Sequence, residues 1–165
     1  MPWRFFTILI VFNAILLLVS CRPTRHIQAG EYLVTKSVVH LNENNKHETE
    51  VSSSDLESIL RQKPNRKVFG LINFHLGVWN FAHGRNQSKN WVQFLKTDVG
   101  EAPVLFEPVI FQKNIDQLKR YLSNNGHFDA QVSAQSWLDT NTAELHYYIN
   151  SGPAYTLRSV GNSFE

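Results

Sequence analysis

The chain opens with an apolar run from Phe5 to Val19, broken only by Thr7 and Asn13, behind a single charge at Arg4. The run is shorter than the ~20 residues that span a hydrocarbon core. It stops at Ser20, Cys21 and Arg22, which is the layout of a signal peptide over residues 1–20. Residues 21–31 then read as a polar tether. From Tyr32 to Leu41, β-branched residues (Val34, Thr35, Val38, Val39) lie between Gly30 and the Asn42–Asn45 cluster, and this spacing predicts a strand. Ser54 with Glu57 reads as a capping box opening a short helix with Leu56, Ile59 and Leu60 on one face and Pro64 as its stop.

The clearest helix carries Phe111, Ile115, Leu118 and Leu122 at spacings of four, three and four and stops at Asn125-Gly126. Beyond it the period changes to two. Phe128, Ala130, Val132 and Ala134 alternate with Asp129, Gln131, Ser133 and Gln135, predicting a half-buried strand. After a polar turn over Asp139–Thr142, Ala143, Leu145, Tyr147 and Ile149 alternate with polar neighbours. The two runs form a hairpin whose apolar face the preceding helix can cover.

Between the two helices lies a long stretch from Lys63 to Gly100, dense in large apolar groups from Phe69 to Phe81. A helix would stack Phe69, Ile72, Leu76 and Trp79 on one face; a strand would alternate Ile72, Phe74, Leu76 and Val78 against their neighbours, and periodicity leaves both open. Phe74, Trp79 and Phe81 are candidates for contact with a membrane interface, the alternative being a helix packed on the domain's own core. Trp91, Phe94 and Leu95 predict a further short helix.

Composition narrows the classes. At 165 residues and 19.0 kDa the chain holds one domain or a little more, and one Cys excludes a disulfide framework. A formal charge of +2 gives no reason to expect a nucleic-acid partner. Without residues 1–20 the balance is 15 basic to 14 acidic residues, so no polybasic attachment to a membrane is expected.

Catalytic constellations are absent from the pattern. His40 and His47 stand seven apart and His75 and His83 eight apart, which is not a zinc-helix spacing. There is no phosphate loop, nucleophile elbow or CxxC. Asp55 with Glu57, and Glu101 with Glu107, read as helix-start and loop charges. No enzyme activity, cofactor or metal is expected. Asn86-Gln87-Ser88 fits a glycosylation sequon.

Two resemblances sharpen this reading. Leu18-Val19-Ser20-Cys21 resembles a bacterial lipobox, which implies acylation of Cys21 as the new N-terminus and a multi-chain anchor. Arg22 is not the Asp of an inner-membrane retention signal, so the resemblance implies the periplasmic face of the outer membrane. Gln117–Leu122 followed by Asn125-Gly126-His127-Phe128, with a closing Ile149-Asn150-Ser151-Gly152-Pro153, is similar to a POTRA (polypeptide-transport-associated) domain.

The implied fold is α+β, a POTRA-like β-α-α-β-β arrangement over residues 32–152, with an apolar insertion at 63–100, preceded by a lipoprotein signal peptide. Residues 153–165 resemble the start of a second repeat. With the lipobox, the chain resembles the front end of a lipidated member of the TamA/BamA superfamily of outer-membrane assembly factors. That resemblance implies nascent outer-membrane proteins as clients, an outer-membrane location through the lipid, and a periplasm-spanning partner similar to TamB. It also implies an accessible edge strand for peptide addition at Asp129, Ala130, Gln131, Val132, Ser133, Ala134 and Gln135. The alternative is a stand-alone periplasmic lipoprotein serving as a structural adaptor, which a chain ending at Glu165 would favour.

Overall fold

Alternation and helical period meet in a three-stranded sheet backed by two helices. The computed structural model describes residues 6, 7, 10, 23–42, 51–70, 72–86 and 88–156. Most of the expected signal peptide, including Leu18–Ser20, as well as Cys21 and residues 157–165 lie outside the described residues. Two compact units emerge: Met1–Ile27 with Asn65–Ala102, and Gln28–Pro64 with Pro103–Glu165.

The second unit holds the sheet. β1 (Leu33–Leu41) runs parallel to β3 (Thr142–Asn150), and β2 (Gln131–Asp139) runs antiparallel to β3, giving the order β1-β3-β2. The turn between the hairpin strands is Thr140-Asn141, inside the predicted Asp139–Thr142. Helices α1 (Ser53–Ile59) and α4 (Pro108–Asn124) pack on one face. There Leu56, Leu118, Leu122, Leu145 and Tyr147 are fully buried, with Val34, Val39 and Ile149 around them. Each such side chain contributes about 1.5–3 kcal/mol by leaving water.

Three local expectations are corrected. The capping box uses Ser52 and Asp55, not Ser54 and Glu57: Asp55 N donates to Ser52 Oγ at 3.2 Å and Ser52 N to Asp55 Oδ2 at 3.3 Å. Glu57 is thereby free to accept from the backbone N–H of Val39 in β1 at 3.3 Å. α1 also ends at Ile59 with Leu60 as its cap, ahead of Pro64.

Third, Phe128 is 66% exposed and His127, 2% exposed, is the buried member of the pair. The cause is the end of α4. Gly126 takes φ +86°, Gly126 N donates to Ser123 O, and His127 N donates to Leu122 O at 2.9 Å. This double closure swings the residue after Gly126 back onto the helix. The strand alternation therefore begins only at Gln131.

In the first unit, Asn65 Nδ2 donates to Ala102 O at 2.7 Å, and Arg66 meets Glu101 through its backbone N–H and its guanidinium. These bonds close the neck of the insertion. Within it the 69–81 stretch is neither one helix nor one strand. Val68 and Ile72 exchange backbone hydrogen bonds across a tight turn, and helix α2 begins at Phe74 and runs to His83. Helix α3 (Asn90–Phe94) follows as expected and continues into a wide π-type turn, Leu95–Val99. Gly100 then passes so close to α2 that a Cβ would lie 3.0 Å from the Trp79 Cα and 2.8 Å from Leu95 O.

The described part of the tether is not free. Asn80 Nδ2 donates to Pro23 O at 3.3 Å, and the His26 ring lies 5.2 Å from His83 and 6.4 Å from Trp79.

Candidate functional site

A sheet exposes main-chain hydrogen-bonding groups only at its two edges, so the edges are where a domain of this shape can bind an extended peptide. The two differ. At the β1 edge, Val34 N donates to Val104 O and Phe106 N donates to Tyr32 O, both at 2.8 Å, and Glu57 takes the N–H of Val39. An irregularity between Val34 and Lys36 further bends this strand. These are the devices that blunt an edge.

Among the described residues, the β2 edge carries none of them. Its nine residues, Gln131 to Asp139, contain no Lys, Arg or Pro, and the register to β3 is unbroken. The register sets Asp139 opposite Thr142 across the two-residue turn, the position of a hydrogen-bonded pair in such a hairpin. Alternation along an antiparallel ladder then aims the N–H and C=O of Val132, Ala134, Ser136 and Leu138 outward.

Of the residues singled out from sequence, Gln131, Val132, Ser133, Ala134 and Gln135 lie in this strand. Asp129 and Ala130 lie in the turn before it, where Asp129 Oδ2 accepts from the Tyr155 hydroxyl at 2.6 Å. The strand also continues through Ser136, Trp137, Leu138 and Asp139, which the short alternating window missed because Trp137 and Leu138 break the apolar-polar pattern. Both are exposed.

The sheet face away from the helices carries an aromatic row across all three strands. The Trp137 ring lies 4.5 Å from His146, His146 stacks on His40 at 5.2 Å, and His40 stacks on Tyr148 at 4.9 Å. His146 is only 4% exposed because rings cover it on both sides. Its Nδ1 shares a hydrogen bond with His40 Nε2 at 2.9 Å, its Nε2 approaches Glu144 at 3.3 Å, and Lys36 pairs with the same carboxylate at 3.9 Å. Beside the row, His40, Gln131, Ser133, Tyr148 and Asn150 line an open hollow of about 370 Å³. Among the described residues no group of three or more metal-ligating side chains converges.

Phe74, Trp79 and Phe81 fall in the other unit. Phe74 and Phe81 are exposed, whereas Trp79 is half-buried, stacked on His83 at 4.4 Å with Lys96 Nζ 5.8 Å from its ring.

A family model for the POTRA module, described as a surface antigen variable number repeat, matches residues 42–152. The chain belongs to the POTRA family. No curated protein matches it. POTRA modules are non-catalytic and bind polypeptides, and the α+β order of strand, helices and hairpin found here is the POTRA arrangement. The match begins just after β1, which pairs with β3 all the same.

Proposed function

We propose that this POTRA domain is the periplasmic front of a lipid-anchored outer-membrane protein assembly factor of the TamA/BamA type, and that it holds unfolded outer-membrane proteins as an added strand along β2. The observation that carries the proposal is the contrast between the edges: β1 is covered by Val104–Phe106 and Glu57, and among the described residues nothing covers β2 over its nine residues. Strand addition draws its affinity from the main chain and so tolerates many client sequences. The exposed Trp137 and Leu138 on that strand would add apolar contact to an alternating client. The Leu18–Cys21 lipobox supplies the anchor, with Cys21 as the acylated residue, and a TamB-like protein is the partner that would deliver clients across the periplasm.

The test is a titration of the protein with a synthetic peptide of alternating apolar and polar residues, followed by amide NMR. Shifts should concentrate on Val132, Ala134, Ser136 and Leu138. Ser136→Pro removes one outward donor and leaves every β2–β3 bond in place, so it should weaken binding by about 1 kcal/mol. Shifts centred on β1 would overturn the assignment.

A further inference from the structure

We infer that the unit built from the residues after Cys21 and from Asn65–Ala102 is a docking element that lies on an anionic lipid surface. The near-neutral total charge conceals a segregation. Residues 21–27 and 65–102 hold seven Lys and Arg against two Asp and Glu, while residues 28–64 and 103–165 hold eight against twelve. In the cationic share the exposed apolar groups are mostly aromatic rings (Phe69, Phe74, Phe81, Trp91, Phe94), whereas the exposed Phe128, Trp137 and Leu138 of the sheet unit belong to the share with the acidic excess.

The exposed groups are arranged for contact. Phe69 is 92% exposed at the tip of the Val68–Ile72 turn, in a left-handed conformation (φ +53°) that is uncommon for a bulky aromatic. Phe74 and Phe81 stand seven residues apart in α2, two turns along one face. One turn further, the Arg85 guanidinium lies 4.0 Å above the Phe81 ring and 6.0 Å from that of Trp91. This joins α2 to α3, where Phe94 is exposed one turn after Trp91. Aromatic rings interleaved with Arg and Lys are what an interfacial element requires: rings enter the headgroup boundary and cations meet lipid phosphates.

The occupant follows from where the chain is tied. Pro23 is bonded to Asn80 in the middle of α2, and Cys21 is two residues away, a reach of at most about 7 Å. On the lipid-anchor reading, which this step rests on, acylation would hold α2 against the bilayer. Among the described residues no helix is long and apolar enough to cross a membrane, which suits an element that lies on the surface.

The test uses the processed, full protein purified from membranes and reconstituted in vesicles containing phosphatidylglycerol and lipids brominated near the headgroup. Brominated lipid should quench the native protein's Trp fluorescence, Trp91→Phe should remove a large part of that quenching, and Trp137→Phe should leave it unchanged. Phe69→Ser with Phe81→Ser changes only exposed residues; with Cys21→Ser also present, it should weaken sedimentation with anionic vesicles at least about tenfold relative to Cys21→Ser alone. High salt should weaken it further. Equal quenching of Trp91 and Trp137, no quenching of Trp91, or a change of oligomeric state in place of vesicle binding would each overturn the inference. Palmitate labelling of Cys21 reads the anchor separately: labelled protein with Trp91 unquenched refutes docking alone, and unlabelled protein that still sediments with anionic vesicles refutes the anchor alone.

Discussion

The side-chain amide of Asn114 donates to the hydroxyl of Tyr147 at 2.9 Å, with both residues fully buried, and Asn114 Oδ1 accepts from the Arg61 backbone N–H at 3.1 Å. One amide thus joins the end of α1, the middle of α4 and the central strand. Tyr147→Phe leaves a buried donor without its acceptor and should cost about 1–2 kcal/mol in urea unfolding. Burial raises the Tyr147 phenol above its ordinary value, with the Asn114 bond opposing. A raised value means its contribution is complete below the unfolded phenol range and is lost as pH rises through the folded value. Alkaline unfolding should therefore be steeper in the native protein than in Tyr147→Phe.

The segment after the hairpin is pinned to the end of α4. Tyr155 N donates to Gly126 O at 2.9 Å, and a Cβ at Gly126 would lie 2.8 Å from Tyr155 O. With φ at +86° as well, Gly126→Ala should destabilise by about 1–2 kcal/mol or more, measured by thermal unfolding.

The Tyr155 phenol is raised by its hydrogen bond to Asp129 and then by that carboxylate's charge. Ultraviolet titration of tyrosinate should show Asp129→Asn returning it toward the ordinary phenol value. As for Tyr147, the contact is complete at neutral pH and is lost on the alkaline side.

His83 lies below its ordinary value, first through desolvation beneath the Trp79 ring and then through the charges of Lys96 and His26. A lowered His makes its contact fully favourable above the unfolded value and progressively weaker as pH falls from there to the folded value. Proton NMR should show Lys96→Gln moving His83 partway back up, and the hydrogen-exchange protection of α2, taken relative to the intrinsic rate at each pH, should fall under mildly acidic conditions.

Much of the sheet unit was legible because each element obeys one period: four-three-four spacing for α4, two for β2 and β3. The exceptions are instructive. The run Ser52-Ser53-Ser54-Asp55 offers several helix starts of nearly equal propensity, and only hydrogen-bond geometry selects Ser52. Phe128 looks like the first residue of an alternating strand, but the Gly126 closure buries His127 in its place, leaving His127 Nδ1 without a partner among the described residues. His127→Phe should thus be tolerated or stabilising.

The candidate edge was legible over Gln131–Gln135, while its advantage over β1 was not, since the cover comes from Val104–Phe106, more than sixty residues from β1. Charge segregation was equally hidden: its described cations are spread from Arg25 to Lys96 in sequence and fall into one unit only through the fold.

The parallel pairing of β1 with β3 has a consequence for how the protein is assembled. About 100 residues separate Leu41 from Thr142, so the first strand to leave the ribosome is the last to find its neighbour. Closing that loop is where a 38-residue insertion, Asn65–Ala102, should weigh most heavily. The entropy of closure grows only with the logarithm of length, so lengthening the loop from about 60 to about 100 residues costs about 0.4 kcal/mol. A nucleus of α4 and the hairpin can form from local contacts alone, and evolution could place an entire accessory module ahead of it with almost no thermodynamic penalty to the sheet.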